Sequence, residues 1–335
     1  MNVAMVSEPL AAIALPGLGK AFAARHFTPR VQALLRDRFE LVQPVLDVPM
    51  TSAALLSHAK GCEHIFVSVT EQVDAAAIDG LAPELRTIAT LSVGSDHIDL
   101  AAARRHDIQV LTTPDVLSPA CAETAMLLLL AAARRGREAD QLVRSGLWTG
   151  WAPTQMLGRT LVGMRLGILG MGRIGRELAV RARAFGMEVH YHNRNRLAAD
   201  LEGDAQYHAT ITGLLQHSDA LCLCASGGSG LTRIIDAAAI ELLPDHAIVV
   251  NIARGDLIDD DALIAGLESH KLFAAGLDVF DGEPDVNPRY LSLENVVFSP
   301  HIGSATVETR DAMGMMLIAG IEAIARGDRP QNQIS

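Results

Sequence analysis

Aromatic side chains are scarce in this chain, with 2 Trp, 3 Tyr and 8 Phe among 335 residues. A core cannot rest on large rings, yet 49% of the residues are hydrophobic. Ala, Leu, Ile and Val must fill it, a mix that suits helices packed on parallel strands. Basic residues are also short, 28 against 39 acidic, for a net charge of −11. Such a balance is a poor match for nucleic acid or an anionic membrane surface, so an anionic ligand needs a local basic pocket. The four cysteines, Cys62, Cys121, Cys222 and Cys224, have neither zinc-ribbon nor CxxC spacing. Cys222 and Cys224 alternate in ALCLCA and read as buried strand thiols of a reducing cytoplasm. The longest apolar run, Ala125 to Ala133, falls well short of the roughly 20 residues that span a bilayer. Met1 to Pro16 is apolar but has no basic start and carries Glu8, so it does not read as a secretory signal. A soluble cytoplasmic protein is expected.

The length allows about two domains, each able to close a core without disulfides or metal. Ile65 to Val69, Arg86 to Ser92 and Ile108 to Leu111 read as strands, with a helical stretch after Asp74. Ser118 to Arg135 reads as a long buried helix joining the domains, and Gly146 to Gly158, with both tryptophans, as a linker or projecting loop. From Arg165 onward strands and helices alternate. Strands are expected at Arg165–Leu169, Met187–His192, Ala220–Cys224, Ala247–Ile252, Phe273–Val279 and Val296–Phe298, and a last helix at Thr306–Ala325 folding back on the first domain. The expected fold is α/β, two doubly wound parallel-sheet domains of Rossmann or flavodoxin-like type with an active-site cleft between them. Residues 1–117 and 302–335 would form the substrate-binding domain and 118–301 the dinucleotide-binding domain.

Gly170-Met171-Gly172-Arg173-Ile174-Gly175 stands between a strand and a helix, the context that makes a GxGxxG run a pyrophosphate site. Gly170 allows the turn, Gly172 lets backbone approach phosphate, and Gly175 lets helix and strand pack closely. The helix N-terminus adds free N–H groups. At the end of the next strand the carboxylate that would hold the ribose hydroxyls is missing. His192-Asn193-Arg194-Asn195-Arg196 stands there instead, and Arg194 and Arg196 would welcome a 2′-phosphate. NADP(H) is therefore the expected cofactor, with NAD(H) weaker through Asn193; two solvated surface arginines are the plain alternative.

Three further segments each follow an expected strand: Asn251 to Asp256, Leu277 to Pro284, and Ser299 to Gly303. They can converge at the carboxyl edge of one sheet. Together they hold Arg254, Glu283 and His301. Hydride transfer to a carbonyl needs a proton donor for the oxygen that gains charge, a task that suits histidine near neutral pH. A neighbouring carboxylate favours the imidazolium, and an arginine can pair with the substrate carboxylate.

With NIARGDLID, GLDVFDGEP and FSPHIGSAT following the glycine turn, the chain resembles the D-isomer-specific 2-hydroxyacid dehydrogenases over nearly its whole length. TLSVGSDHID, TPDVLSPACAETA and the pair Trp148/Trp151 look most like the glyoxylate and hydroxypyruvate reductases. The resemblance implies Arg254 as substrate clamp, His301 as acid/base and Glu283 as its partner. It implies that Val93 and Gly94 offer backbone N–H groups to the substrate from the other domain. Arg173, Ile174, Ala225, Ile252, Asp278 and Gly303 join the cofactor set; Asp278 either faces the nicotinamide carboxamide or caps its strand. Trp151 reaches a neighbouring subunit's active site in a homodimer, or packs within its own chain. His190 and His192 share a strand face, but no third ligand is evident and no metal is expected.

Rivals within the family are disfavoured by particular residues. A formate dehydrogenase is expected to carry Gln in place of Glu283, a phosphite dehydrogenase Lys in place of Val93, and the longer phosphoglycerate dehydrogenases a regulatory extension. A corepressor that senses the cofactor shares the fold but has no need of the full triad.

Overall fold

Short runs of Val, Ile, Ala and Leu alternate with capped helices, and most strand runs bury both faces. The computed structural model describes residues 17–225 and 232–335. The apolar stretch Met1 to Pro16 lies outside the described residues. The described residues divide into two compact units, one of residues 17–91, 97–112 and 314–335, the other of 92–96, 113–225 and 232–313.

In the first unit, strands β1 (Lys20–Ala23), β2 (Glu40–Val42), β3 (His64–Val67), β4 (Thr87–Thr90) and β5 (Gln109–Leu111) form a parallel sheet in the order β2-β1-β3-β4-β5. The connections are helices α1 (Pro29–Arg38), α2 (Ser52–Ala59), α3 (Ala75–Leu81) and α4 (Leu100–Arg105). Thr51, Asp74 and Asp99 start the last three, each side chain accepting from an amide of the first turn. Successive residues of β3 go to opposite cores. Ile65 and Val67 pack with Leu55, Ile78 and Ile98, whereas Phe66 packs with Leu317, Ile318 and Ile321 of the last helix.

The second unit opens with α5 (Ser118–Ala133) and α6 (Gly136–Arg144), continuous except where Arg135 takes φ +53°. Strands β6 (Arg165–Leu169), β7 (Glu188–His192), β8 (Gln206–Tyr207), β9 (Ala220–Leu223), β10 (Ala247–Asn251), β11 (Leu272–Leu277) and β12 (Val296–Phe298) form a parallel sheet ordered β12-β11-β10-β9-β6-β7-β8. Between them lie α7 (Arg173–Ala184), α8 (Ala199–Glu202), α9 (Ile211–Gln216), α10 (Ala237–Leu242), α11 (Asp260–Glu268) and α12 (Pro288–Leu291); α13 (Val307–Ala325) follows. One face of the sheet packs Ile168, Cys222 and Val250 against α5 and α7, the other packs Leu169, Leu223 and Val249 against α9 to α11.

Two parallel doubly wound sheets are as the alternation predicts. Among the elements without an expected range are β1, α1, β2 and α2, the helix α6 and the two-residue strand β8. Residues 145–164 carry no helix or strand, as expected of a projecting segment, and Trp148 and Trp151 are 54% and 82% exposed. Among the described residues no helix is long and apolar enough to cross a membrane.

Candidate active site

The glycine turn occupies the point where strand order reverses. β6 is flanked by β7 on one side and β9 on the other, so the loops that leave β6 and β9 part in opposite directions. Gly170 ends β6 with φ +97°, and a Cβ there would lie 2.5 Å from the Ala225 amide nitrogen just past β9. Only glycine fits both the torsion and the approach. Around Gly172, no heavy atom lies within 4 Å of an added Cβ. That open surface at the start of a twelve-residue helix fits a pyrophosphate on the free N–H groups. Gly175, one turn further, would put a Cβ 2.6 Å from the Gly170 oxygen. Ile174 is half-buried beside it, and the Arg173 side chain is ion-paired with Asp115.

At the ribose end the structure departs from the expectation. The Asn193 side chain does not stand free: Oδ1 accepts from the Met171 amide at 2.7 Å and Nδ2 donates to the Met171 carbonyl at 3.3 Å. Asn193 braces the glycine turn. Arg194 is exposed and, among the described residues, makes no hydrogen bond or ion pair. Arg196 is already engaged. Its Nε and Nη2 donate to the two Glu202 oxygens at 2.8 and 2.6 Å, and Glu202 also accepts from the Tyr191 hydroxyl at 2.5 Å. The bonds from Arg196 and Tyr191 hold the Glu202 carboxyl down to about 2. Two free guanidiniums were expected and one is found. Nothing local in the sequence pairs residues 196 and 202; a turn into α8 brings them together.

Arg254, Glu283 and His301 stand on the loops after β10, β11 and β12, neighbours in the sheet. Asn251, the last residue of β10, is an Asx brace: Oδ1 accepts from Ala253 N at 3.0 Å and Nδ2 donates to Arg254 O at 2.8 Å. Gly255 has no room for a Cβ because the backbone of Phe280 and Asp281 crosses directly over it. This close approach brings the Arg254 loop to the loop that carries Glu283. The Arg254 guanidinium lies against Gly94, with Nε 3.5 Å from an Asp96 oxygen. Segment Ser92–Asp96 thus groups with Thr113–Met313 and not with the flanking residues of the first unit. The bond from Thr113 N to Ser92 O and the Asp96–Arg254 pair account for it. Val93 is 40% exposed.

His301 Nδ1 is 2.7 Å from Glu283 Oε2, while Oε1 accepts from the Phe280 amide at 2.9 Å. Burial pushes the Glu283 carboxyl up, but the bond and charge of His301, the Phe280 amide and Arg254 outweigh it and leave the pKa below the usual range. An ionised Glu283 makes Nδ1 the donor nitrogen and leaves Nε2 facing away from it. His301 has φ +53°, an uncommon torsion for a side chain of this size. Its amide is held at 2.8 Å by the Asp278 carbonyl.

Asp278 is 1% exposed and serves the same loop. Oδ1 accepts from Ser299 Oγ at 2.5 Å and Ile302 N at 2.9 Å, and Oδ2 from Gly303 N at 2.9 Å. Of the two roles open from the sequence, the strand-end cap is the one these bonds describe. Ile252 follows β10 and bonds Leu223 O at 3.4 Å, beside Ala225. Asp96, Asn251, Ser299 and Glu202 had been given no role. Asn251 alone carried a local signal, an Asn at a strand end two residues before a turn.

The histidines of β7 do not converge. His190 Nδ1 is 2.9 Å from His208 Nε2 and its ring stacks with His217, whereas His192 Nδ1 meets the His208 carbonyl. Among the described residues no three His, Cys, Asp or Glu side chains are placed to hold a metal ion. The four cysteines are free, with Cys222 buried and its sulfur 3.7 Å from that of Cys224.

Residues 126–303, more than half of the chain, match the model of the D-isomer specific 2-hydroxyacid dehydrogenase NAD binding domain. The chain belongs to the D-isomer-specific 2-hydroxyacid dehydrogenase family. A glyoxylate reductase of Thermococcus litoralis is 40% identical over 286 residues, 84% of this chain and 86% of that one. Among solved structures, a Polaromonas protein described as a D-isomer specific 2-hydroxyacid dehydrogenase is 57% identical with a TM-score of 0.91, covering 94% and 99%. An NADPH-dependent glyoxylate/hydroxypyruvate reductase of Sinorhizobium meliloti, solved with NADP and malonate, is 31% identical with a TM-score of 0.84, covering 95% and 97%. The family and the fold expected from the motifs therefore stand, as does reduction of 2-keto acids as the class of reaction.

Proposed function

We propose that this 2-hydroxyacid dehydrogenase is an NADPH-preferring reductase of glyoxylate and hydroxypyruvate, forming D-2-hydroxy acids in the cytoplasm. The observation that carries the catalytic part is the His301–Glu283 pair at 2.7 Å, with Arg254 on the adjoining loop. The reduced nicotinamide, when bound, supplies hydride to C2 of the keto acid. Charge then grows on the C2 oxygen, and His301 Nε2 delivers the proton while Nδ1 stays bonded to Glu283. Arg254 pairs with the substrate carboxylate, which displaces Asp96 as its partner, and the Val93 and Gly94 amides take the other carboxylate oxygen.

The glycine turn, Arg173, Ile174, Ala225, Ile252 and Gly303 form the dinucleotide site, with Asp278 holding Gly303 in place. Arg194 carries the preference for a 2′-phosphate; Arg196 is near but paired. Support comes from the absence of a ribose carboxylate after β7 and from the NADPH dependence of the Sinorhizobium relative. Exposed Leu147, Trp148, Trp151 and Leu157 support a homodimer in which Trp151 meets the partner's site.

A steady-state panel of glyoxylate, hydroxypyruvate, pyruvate and 2-ketogluconate with both cofactors tests the reading. Highest kcat/KM for one of the first two with NADPH is expected. Preference for NADH overturns the cofactor assignment, and a maximum for pyruvate or 2-ketogluconate the substrate assignment. A monomer by light scattering overturns the dimer.

A further inference from the structure

The loop after β7 contains a device that the cofactor assignment alone does not call for. Arg196 is a cation with a dedicated anion: Glu202 grips its Nε and Nη2 edge at 2.8 and 2.6 Å, and the Glu202 side chain is only 9% exposed. The anion is itself held. Tyr191, fully buried, donates its hydroxyl to Glu202 and accepts the Leu197 amide at 3.1 Å, so the Arg196–Leu197 end of the loop hangs on Tyr191 and Glu202. Tyr207 closes the other side, its ring 5.6 Å from the Arg196 guanidinium and its hydroxyl 3.4 Å from the Asn193 carbonyl. Asn193 in turn fixes the Met171 backbone of the glycine turn. Arg194, two residues before Arg196, is the unpaired charge.

We infer that Glu202 is a specificity-determining residue: by neutralising Arg196 it leaves Arg194 as the single effective cation toward a 2′-phosphate, and so limits the preference for NADPH over NADH. This rests on the proposal that the loop receives the adenosine ribose. The physical argument is one of net charge. A phosphate approaching this loop meets one free guanidinium and one ion pair, and the pair's field falls off far faster than that of a bare charge. The carboxylate also stands where it would repel the phosphate if Arg196 turned toward it. A loop built to maximise 2′-phosphate affinity would leave both arginines free.

The test is Glu202→Gln, which keeps the length of the side chain and a hydrogen bond for Tyr191 but removes the charge. The measurement is the ratio of kcat/KM for NADPH to that for NADH, at low salt and at 0.15 M salt. The ratio should rise about three- to fivefold at low salt, the scale of an exposed charge pair, and the gain should shrink as salt screens it. A ratio that falls would show that Glu202 orients Arg196 for the phosphate, and overturns the inference. Equal changes with both cofactors, independent of salt, would make the pair structural and overturn it too. Should the variant fail to fold, Arg194→Ala and Arg196→Ala give the same decision. Arg194→Ala must cost NADPH efficiency several times more than Arg196→Ala; equal losses overturn the inference. If wild type prefers NADH, the cofactor assignment falls, yet a salt-sensitive rise in the ratio for Glu202→Gln still supports the charge argument.

Discussion

Asp278 and Glu202 are both nearly sealed from water, at 1% and 7% exposure, and they organise two loops of the same unit in opposite ways. Asp278 takes hydrogen bonds from Ser299, Ile302 and Gly303 and meets no basic side chain among those donors, so its charge is absorbed by loop dipoles. Glu202 is matched by a guanidinium and a phenol. The first arrangement fixes geometry, as a loop proposed for catalysis needs: it braces the residues on either side of His301, which stands with φ +53° against Glu283. The second fixes charge, as the proposed role of the loop after β7, telling a phosphate from a hydroxyl, requires. Dipoles set position over a few ångströms; a counter-ion sets the field that a ligand meets.

The comparison is sharpest at the His301 loop. His301→Ala should lower kcat with glyoxylate by roughly 10²–10⁴-fold, the range for loss of a general acid, with secondary structure unchanged by circular dichroism. Near-wild-type turnover at neutral pH would remove His301 from the mechanism.

Asp278→Ala should instead act on stability as well as on rate. It strands the Ile302 and Gly303 amides and the Ser299 hydroxyl, a loss of about 3 kcal/mol by urea unfolding, and turnover falls because His301 is released. Asp278→Asn keeps part of the set and should cost less. If Asp278→Ala unfolds like wild type, the loop is held by something other than this carboxylate.

Acid should separate the two kinds of support from a third, the imidazole stack beneath β7. Burial and the neighbouring His208 and His217 push His190 down to about 4 from 6.5, with Arg165 adding to the shift and Asp219 opposing it. Between those values the unfolded chain binds a proton that the folded chain refuses, so stability falls as pH drops from 6.5 toward 4, by at most about 3 kcal/mol. Glu202, at about 2 folded and 4.5 unfolded, adds a loss only as pH falls below 4.5. Thermal melts from pH 7 to 4.5 should therefore show a slope that His190→Gln flattens; an unchanged slope would assign the acid sensitivity elsewhere.

The smallest effect is expected at Tyr191→Phe, which takes one donor from Glu202 and one acceptor from Leu197 N but keeps the ring in its core. About 1 kcal/mol should be lost. A change in Tm with no change in the cofactor ratio would show that the phenol serves the loop and the Arg196–Glu202 pair sets the charge without it.

Much of this site was legible in the chain itself. Gly170, Gly172 and Gly175 have three distinct steric roles that follow from their spacing between a strand and a helix. Arg254, Glu283 and His301 each sit just past a strand run, and in a parallel sheet all such positions share one edge. What failed to show were partners chosen by through-space approach. Arg196 meets Glu202, Asn193 meets Met171, Arg254 meets Asp96, and Arg173 meets Asp115, across gaps that no local periodicity marks.

Composition, alternation and the glycine turn by themselves determined a doubly wound α/β chain with a dinucleotide site, because backbone geometry permits few other uses of those patterns. The torsion of His301, the cap made by Asp278 and the neutralisation of Arg196 were decided only by the tertiary structure. Hydrogen bonds and ion pairs depend on distances of about 3 Å, and only the packed sheet and its loops bring residues so far apart in sequence within that range.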